Sequence, residues 1–445
     1  MSKKAFIQTY GCQMNEHDTH RMTGVLAAEG FSMTERAEDA DLGLVNTCSV
    51  RHNPEHKVYS QLGRLREMKQ ERPGMIIGVG GCVAQQEGET ILAREKAVDM
   101  VFGPDNLFRL PEMLARVREG ERVLMTRWQP HDNRVQNFIP EEWVEQGHVE
   151  GCKAFLTITK GCDNFCTFCV VPYTRGREVS REPENILREA RALVAQGARE
   201  IWLLGQNVNS YRARDCGFYE LLDMVSQLPG LYRVRFTSPY PNDWTNDLSD
   251  LMASRKTICN QLHLPFQSGS DRMLKLMRRQ HTAADYLEKI RYMRSINSTL
   301  ELSTDLIVGF PTETEDDFER TLDILREVRY ALVFPFMYSP RPKTKASEMP
   351  DDVPQEVKHE RLQRVIALQQ VIDAENIARY VGTEQEILID GASTKERDTM
   401  IGRTDGFQAV ALHDVSLEVG DLVSVRITSA TGHWLRGELL TPAGV

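Results

Sequence analysis

The sequence predicts an α/β protein with three successive domains: an N-terminal parallel α/β domain (1–120), a central partial (βα)6 barrel (151–378) and a small C-terminal all-β barrel (379–445). Up to residue 378, short β-rich apolar runs alternate with helical hydrophobic periods, which is the pattern of parallel sheets covered by helices. Beyond it, the helical period disappears and short β runs remain. A length of 445 residues also fits roughly two to four domains.

The N-terminal domain is predicted from four strand-and-helix units. Its strand candidates are 5–9, 42–46, 75–79 and 100–102. Helical periods, such as Met22, Val25 and Leu26, lie between them. From 121 to 150, polar residues and prolines replace both patterns, which predicts a linker.

The central domain is predicted from six further strands, at 155–159, 201–204, 234–237, 261–264, 302–308 and 332–337. The helices predicted there include 184–196, 283–295, 315–326 and a long final helix at 356–380. Six such units fit an incomplete βα barrel, a fold that places active sites at the carboxyl ends of its strands. The strands predicted for the last domain are 385–389, 408–412, 422–427 and 434–439.

Composition and charge exclude several classes of protein. With 41% apolar and 27% charged residues, the chain is globular rather than disordered. A net charge of −10 excludes a protein that coats nucleic acid through its overall charge, so RNA contacts would need local basic stretches. Two are present: 51–72 has six basic against three acidic residues, and 271–294 has seven against three. No apolar run approaches about eighteen residues and no signal-like start is seen, so we expect a cytoplasmic protein without a membrane span.

Three closely spaced cysteines are the strongest chemical signal. The chain has nine cysteines, which in a reducing compartment indicate metal binding or catalysis rather than disulfides. Cys162, Cys166 and Cys169 are four and three residues apart, so one loop can place three thiolates on one iron–sulfur cluster and leave one iron open. Zinc is the alternative, but structural zinc sites have four closed ligands, and no fourth Cys or His lies near in the sequence.

Three distant cysteines form a second candidate set. Cys12, Cys48 and Cys82 each follow a predicted strand within two or three residues. Because the carboxyl ends of neighbouring parallel strands share one sheet edge, we expect their thiols to converge. Gly11 and Gly81 would permit the close backbone approach that a cluster needs. A second three-thiolate cluster is therefore expected, with three unrelated buried cysteines as the alternative.

Four strings, together with the CxxxCxxC loop at 162–169, carry a family resemblance: QTYGCQMN at 8–15, NTC at 46–48, PYTRGRE at 172–178 and GQNVNSY at 205–211. They closely resemble the radical S-adenosylmethionine (SAM) methylthiotransferases, over essentially the whole chain, and within that family the MiaB branch. The resemblance implies an N-terminal methylthiotransferase domain, a radical SAM core and a C-terminal TRAM domain. Sister branches acting on threonylcarbamoyladenosine tRNA or on a ribosomal protein remain open, as does a non-catalytic RNA-binding protein with structural metals.

The resemblance also implies an activity, the transfer of a methylthio group to C2 of N6-isopentenyladenosine at position 37 of tRNA. It implies two 4Fe–4S clusters: one on Cys162, Cys166 and Cys169 that cleaves SAM, and an auxiliary one on the other triad that carries the sulfur. The implied partners are a tRNA anticodon stem-loop, a low-potential electron donor and a sulfur or cluster-repair protein. The enzyme itself is expected to be a monomer.

The residues expected to bind SAM end or follow strands of the central domain, or carry a guanidinium that can bind either the nucleotide or the SAM carboxylate bidentately. Ordinary turns and a solvated run of charge are the alternatives. The set is Gly205, Gln206, Asn207, Ser238, His263, Gln267, Asp305, Arg175 and Arg177.

The C-terminal barrel is expected to contact RNA from resemblance rather than from charge. From residue 383 onward, five basic residues stand against ten acidic ones. Phe407, His433 and Trp434 are candidates for stacking on unpaired bases, with core packing as the alternative.

Overall fold

In the computed structural model the described residues are 3–49, 54–128, 134–413, 416–432 and 434–440. They form a parallel α/β domain, an incomplete βα barrel and a small closed β barrel, which confirms the predicted fold class. Within these ranges, no helix is both long enough and apolar enough to cross a membrane.

The N-terminal domain consists of strands β1 (Lys3–Thr9), β2 (Phe31–Met33), β3 (Leu42–Thr47), β4 (Ile76–Gly81), β5 (Met100–Phe102) and β6 (Val123–Met125), with helices α1 (Gln13–Ala28), α2 (Pro54–Glu71), α3 (Cys82–Arg94) and α4 (Leu110–Arg118). All six strands pair in parallel in the order β2-β1-β3-β4-β5-β6. Apolar side chains are buried on both faces, Leu44 and Met100 in one cluster and Val45 and Val101 in another.

Two strands of this sheet were not predicted from the sequence. β2 and β6 have three residues each, too few to show a period of two. β6 pairs with β5, although it lies in the segment 121–150 that was predicted to be a linker. The beginning of that segment is therefore part of the sheet.

The central domain contains strands β7 (Val149–Glu150), β8 (Lys153–Thr157), β9 (Thr159–Lys160), β10 (Val179–Ser180), β11 (Glu200–Leu204), β12 (Arg212–Ala213), β13 (Cys216–Gly217), β14 (Arg233–Phe236), β15 (Gln261–His263), β16 (Glu301–Val308) and β17 (Leu332–Met337). Its helices are α5 (Val171–Thr174), α6 (Pro183–Ala195), α7 (Phe218–Ser226), α8 (Asn246–Ser254), α9 (Asp271–Leu276), α10 (Ala283–Ile296), α11 (Glu315–Val328) and α12 (Gln355–Ala378).

Six of these strands form the incomplete barrel. β8, β11 and β14 pair in parallel, as do β15, β16 and β17. An isolated parallel bridge between Val234 and Ile258 connects β14 to the residues just before β15. All six coincide with the predicted strands to within two residues at either end, so the carboxyl ends that matter for function are where the sequence indicated.

The C-terminal domain is a closed barrel of strands β18 (Glu384–Ala392), β19 (Met400–Arg403), β20 (Ala409–Leu412), β21 (Leu422–Thr431) and β22 (Trp434–Leu439). Buried arginines on β14 join it to the core. Arg233 Nη1 donates to the carbonyl of Arg403 (2.6 Å), and Arg235 Nη1 donates to that of Asp405 (2.7 Å). Arg235 Nε also donates to Glu200 (3.0 Å), so its buried charge is paired.

A buried ion-pair group joins the N-terminal domain to the core. Arg21 on α1 and Arg181 in the core both pair with Glu189 on α6, the latter at 2.8 Å. Arg21 Nη1 also donates to the carbonyl of Trp143 (2.8 Å). Because removing one member would leave buried charge without a partner, this group holds the two domains in one orientation.

Candidate active site

The first cysteine triad lies at the carboxyl edge of the N-terminal sheet. Cys12, Cys48 and Cys82 follow the neighbouring strands β1, β3 and β4. A hydrogen bond with Cys48 lowers the pKa of Cys12 to about 6, although burial opposes this change. Burial raises the pKa of Cys82, and a negative charge on Cys12 adds to the rise. The parallel topology therefore brings the three thiols into one group.

An amide network fixes the edge that carries these thiols. Asn15 Nδ2 donates to the carbonyl of Thr47 (3.0 Å), and Asn46 Nδ2 donates to that of Asn15 (2.8 Å). The Cys12 thiol donates to Asn15 Oδ1 (3.5 Å). Gly81 has φ +95°, and a Cβ there would lie 2.4 Å from the Thr47 oxygen, so only glycine fits. The sequence reasoning missed both asparagines, although they lie in the strings that carried the resemblance.

Arg175 reaches this first triad from the core domain. It is 9% exposed, and its Nη2 donates to Asp18 on α1 at 2.7 Å. Burial works to lower the pKa of Arg175, but Asp18 and the Cys82 thiol raise it well above its ordinary value. The structure thus places Arg175 beside the first triad. Arg177, in contrast, is exposed and pairs with Asp163 (2.5 Å).

The second triad occupies a loop that follows β9. The Cys162 amide donates to the carbonyl of Gly176 (3.1 Å), and the Cys169 amide donates to that of Cys166 (3.0 Å). Phe165 has φ +47°, a left-handed conformation that curls the chain between the first two cysteines. Burial raises the pKa of both Cys162 and Cys169 to about 12. One tight loop therefore presents all three thiols.

Arg279 contacts this triad, which the sequence reasoning did not expect. Its Nη1 donates to Cys166 Sγ (3.6 Å) and its Nη2 to the carbonyl of Pro265 (2.8 Å). The guanidinium lies over the ring of Tyr240, 4.3 Å from its centroid. The sequence reasoning had placed Arg279 in a phosphate-binding stretch together with Arg278, and only Arg278 is exposed.

Each triad consists of three thiols, the donor type that holds iron–sulfur clusters. Among the described residues, no three His, Cys, Asp or Glu side chains come close enough to hold one metal ion. A four-iron cluster is larger and takes thiolates on separate irons. The buried Nε of Arg279 also has no hydrogen-bond partner among the described residues, which leaves a donor for an acceptor beside Cys166.

Three predicted SAM-binding residues lie at the end of β11, beside the loop of the second triad. Gln206 Oε1 accepts a hydrogen bond from the amide of Gly161, at 2.5 Å. A Cβ on Gly205 would lie 2.1 Å from Thr159 Oγ1, so a side chain cannot fit there. Asn207 Oδ1 is buried without a partner in the described part of the chain. The turn therefore supports the cysteine loop directly.

Of four further predicted SAM-binding residues, His263 ends β15, and Ser238 and Gln267 follow β14 and β15. Asp305 was expected at a strand end but lies inside β16. His263 Nε2 lies 3.5 Å from Asp305 Oδ2, and its Nδ1 lies 3.0 Å from Ser303 Oγ. The backbone N–H of Gln267, a residue with φ +70°, donates to the backbone carbonyl of Asp305 (3.1 Å). Ser238, at φ +58°, follows β14. His263, Gln267 and Asp305 thus form one polar group.

A cavity of about 150 Å³ is lined by Cys169 of the second triad and by Ser49, the residue that follows Cys48 of the first triad. Gln267 and Asp305 also line it. The remaining walls are Phe168, Val170, Val171, Ile307, Phe336, Met337, Tyr338, Ser339 and Arg341. The cavity therefore reaches from the cysteine loop of the second triad to the residue beside Cys48.

The barrel aromatics differ in their exposure. Phe407 packs edge-on against Trp202 at 5.3 Å, under the guanidinium of Arg235 at 4.9 Å, so it is part of the domain interface. These contacts favour packing over RNA stacking for Phe407. Trp434 is 48% exposed. His433 lies outside the described residues.

The basic stretch 271–294 is partly neutralised by its neighbours. Arg272 and Arg291 pair with carboxylates of α11. Lys275 and Arg278 are exposed. In the other stretch, 51–72, Arg51 lies outside the described residues. The net positive charge counted along the sequence therefore overstates what is free to meet a phosphate.

Three family models match the chain. "Uncharacterized protein family UPF0004" matches residues 4–103, the Radical SAM superfamily matches 156–325 and the TRAM domain matches 378–440. The first range includes Cys12, Cys48 and Cys82, and the second includes the loop at 162–169.

Two full-length relatives have the same name. The tRNA-2-methylthio-N(6)-dimethylallyladenosine synthase of Alteromonas mediterranea is 46% identical over 449 residues, covering 99% of this chain and 92% of that protein. The synthase of that name from Burkholderia lata is 44% identical over 456 residues, covering 99% and 98%.

Solved structures share the fold of the larger part of the chain. The radical SAM methyltransferase TsrM from Kitasatospora setae has a TM-score of 0.55 at 15% identity, covering 78% of this chain and 75% of that one. The cobalamin-dependent SAM radical enzyme OxsB has a TM-score of 0.53 at 13% identity, covering 82% and 56%. At such identities the likeness concerns the fold alone.

Proposed function

The chain belongs to the radical SAM methylthiotransferases, in the family of tRNA-2-methylthio-N(6)-dimethylallyladenosine synthases, and from this premise we propose how its two cysteine triads divide the reaction. It is an enzyme that adds a methylthio group to C2 of N6-isopentenyladenosine in tRNA. The full-length relatives carry this name, which disfavours the sister activities and a non-catalytic role.

The radical SAM family implies SAM and one 4Fe–4S cluster. We assign this cluster to Cys162, Cys166 and Cys169, and a second, auxiliary 4Fe–4S cluster to the thiols at the edge of the N-terminal sheet. When bound, the first cluster supplies the electron that cleaves SAM, and the second holds the sulfur to be transferred. This scheme requires a low-potential electron donor and a source of replacement sulfur, for which we propose a sulfur or cluster-repair protein.

The observation that carries this proposal is the cavity lined by Cys169 of the second triad and by Ser49, the residue next to Cys48 of the first. The chain's own residues bind and orient the reactants there and exclude water. Phe168 and Phe336 offer apolar walls for the adenosine of SAM, while Gln267 and Asp305 offer hydrogen-bonding groups. The side-chain oxygen of Gln206 accepts a hydrogen bond from the Gly161 amide and so holds the cysteine loop in place.

The substrate base must leave its stack to enter such a cavity. Adenine C2 lies on the base edge, and drawing out a stacked base costs about a few kcal/mol. A single-stranded loop offers the smallest cost, so we place the target at position 37 in the anticodon loop. Burying the five-carbon isopentenyl chain, at about 0.8 kcal/mol per carbon, allows up to roughly 4 kcal/mol of discrimination against plain adenosine.

Two variants test the division of labour. Anaerobically reconstituted wild type should hold about eight irons, and either triad changed to alanine about four. The Cys12/Cys48/Cys82→Ala variant should still form 5′-deoxyadenosine with a strong reductant but no methylthio product. Loss of all iron from either triple variant would contradict the assignment. It would also be contradicted if the Cys12/Cys48/Cys82→Ala variant folds and binds SAM but does not cleave it.

The substrate is tested with matched anticodon stem-loops. An isopentenylated stem-loop should react faster than one with plain adenosine, as measured by mass spectrometry of the nucleosides. Equal rates would contradict the isopentenyl selectivity.

A further inference from the structure

We propose that Arg279 is a positioning residue that raises the reduction potential of the cluster on the second triad by donating a hydrogen bond to Cys166 Sγ. The inference rests on the proposed function, because it requires a 4Fe–4S cluster on Cys162, Cys166 and Cys169. It gives a defined role to a side chain that neither its sequence neighbourhood nor the family strings single out.

The end of helix α9 aims this side chain inward. Arg278 takes the left-handed conformation (φ +57°) directly after the helix. The Arg279 amide then donates back to the carbonyl of Leu274 (2.8 Å), which completes a helix-terminating motif. Consequently Arg278 is exposed, while the next residue turns towards the cysteine loop. Two adjacent arginines thus have different environments for a local backbone reason.

Three contacts hold the guanidinium in one place. Nη1 donates to Cys166 Sγ at 3.6 Å, Nη2 donates to the carbonyl of Pro265 at 2.8 Å, and the group lies over the Tyr240 ring at 4.3 Å. The Gln280 amide donates to the Tyr240 hydroxyl at 3.1 Å, which fixes the ring as well. A guanidinium held at three points is a preorganised donor.

The positive charge of Arg279 has no carboxylate partner in the part of the chain that the structure describes. Its hydrogen bonds go to a thiol sulfur and a carbonyl, and its Nε–H is buried and unpartnered there. Its contacts therefore favour a negatively charged acceptor at the position of Cys166. Thiolates and bridging sulfides of a cluster are such acceptors.

The electrostatic consequence follows from charge. Reduction adds one negative charge to the cluster, so a nearby cation with an N–H···S bond stabilises the reduced state more than the oxidised state. Without Arg279 the cluster should be harder to reduce. The effect belongs to the cluster of the second triad alone, because Arg279 contacts Cys166.

Potentiometric reduction followed by electron paramagnetic resonance tests this inference. The full chain carrying Cys12/Cys48/Cys82→Ala, so that one cluster remains, is compared with the same chain bearing Arg279→Gln, Arg279→Lys or the control Arg278→Gln. For Arg279→Gln we expect the ratio of reduced to oxidised cluster at a fixed potential to fall at least threefold, about 28 mV for a one-electron couple. The potential of Arg279→Lys should lie between those of Arg279→Gln and the parent, and the potential of Arg278→Gln should equal that of the parent.

Iron content separates the possible failures. A parent chain without a four-iron cluster would overturn the proposed function, and with it this inference. An Arg279→Gln variant that keeps its iron and the parent potential would overturn the inference alone. If Arg279→Gln loses its iron, Tyr240→Leu is measured in its place. This change removes the ring under the guanidinium and should also lower the reduction potential. An unchanged potential in both Tyr240→Leu and Arg279→Lys would also overturn it.

Discussion

Arg175 and Arg279 each reach a cysteine, although Arg177 and Arg278, close to them in sequence, remain exposed. In both pairs the backbone, not the residue type, decides which guanidinium is buried. A short helix ends just before Arg175, and a left-handed residue precedes Arg279. Residue type alone would assign all four to phosphates or carboxylates.

Replacing Arg175 should destabilise the protein strongly. Arg175→Gln leaves the buried carboxylate of Asp18 without its partner, so we expect a loss of about 3–5 kcal/mol in unfolding free energy. Arg177→Gln removes an exposed ion pair and should cost less than about 1 kcal/mol. Urea unfolding of the metal-free proteins measures both losses separately from iron binding. Similar losses in the two variants would argue against a structural role for the buried pair.

At the scale of elements, β17 presents an unusual face. Leu332, Phe334 and Phe336 alternate along this strand, and all three are exposed, between 38% and 43%. In a closed eight-stranded barrel such inward side chains fill a packed core. Here the barrel stops at six strands, so β17 offers an apolar wall to a ligand.

SAM affinity should depend on the part of this wall that borders the cavity. Phe336 lines the cavity, whereas Leu332, on the same face, does not. We expect Phe336→Ala to weaken SAM binding about tenfold, roughly 1.4 kcal/mol, because the ligand loses apolar contact. Leu332→Ala should change it little. Calorimetry on reconstituted protein with matched iron content measures both, and equal effects would contradict this placement of SAM.

Helix α1 makes the contact between domains sensitive to acid. His20 on α1 lies against His148, 4.2 Å between ring centroids, and stacks on Phe155 of β8. Burial first, and then His148, lower the pKa of His20 to about 3. In the unfolded chain, His20 has a pKa of about 6.5, so between pH 6.5 and pH 3 the unfolded chain binds a proton at His20 that the folded chain does not. The free energy of unfolding is therefore unaffected by His20 above pH 6.5 and falls progressively as the pH is lowered towards 3.

His20→Phe should remove this acid sensitivity. At pH 5 the wild type loses about 2 kcal/mol through His20, at about 1.4 kcal/mol per unit. The variant should therefore gain about that amount relative to wild type between pH 8 and pH 5. Urea unfolding at the two pH values measures the change, with pH 8 as the control for packing. A constant difference would show that His20 is not the group responsible.

For the whole molecule, RNA recognition has to work against an overall charge of −10. The basic side chains of 271–294 are partly used by the fold itself, since Arg272 and Arg291 pair with carboxylates of α11. Lys275 and Arg278 remain exposed. The RNA footprint on the core domain is therefore smaller than the sequence count suggests.

Arg278→Glu should weaken tRNA binding and reduce its salt dependence by roughly one charge. SAM cleavage without RNA should be little changed, because this side chain points away from the cysteine loop. Arg291→Gln, whose charge is already paired with Glu327, should alter the salt slope less. Binding isotherms over a range of salt concentrations measure these slopes. An unchanged slope for Arg278→Glu would remove this residue from the RNA interface.

The sequence by itself determined the three-domain order, the six core strands and the six candidate cysteine ligands. Periodicity and apolar runs reveal most of the strands, and three thiols in one short loop are visible as a pattern. Short strands gave a mixed result: β5 and β15, with three residues each, were predicted, whereas β2, β6 and β19, with three or four, were not, because so few residues carry little periodic signal. The domain order, the core strands and the cysteine loop depend on local composition and spacing, which is why they can be predicted from the sequence.

Only the tertiary structure decided which side chains meet the cysteines. Arg175 crosses from the core to Asp18 in the N-terminal domain, and Arg279 reaches Cys166 across 113 positions of the chain. Phe407, a candidate for RNA stacking, instead packs on Trp202. Such contacts depend on how domains dock and where helices end. The physical reason is that burial and charge pairing are properties of the space around a residue, and a linear pattern does not contain that space.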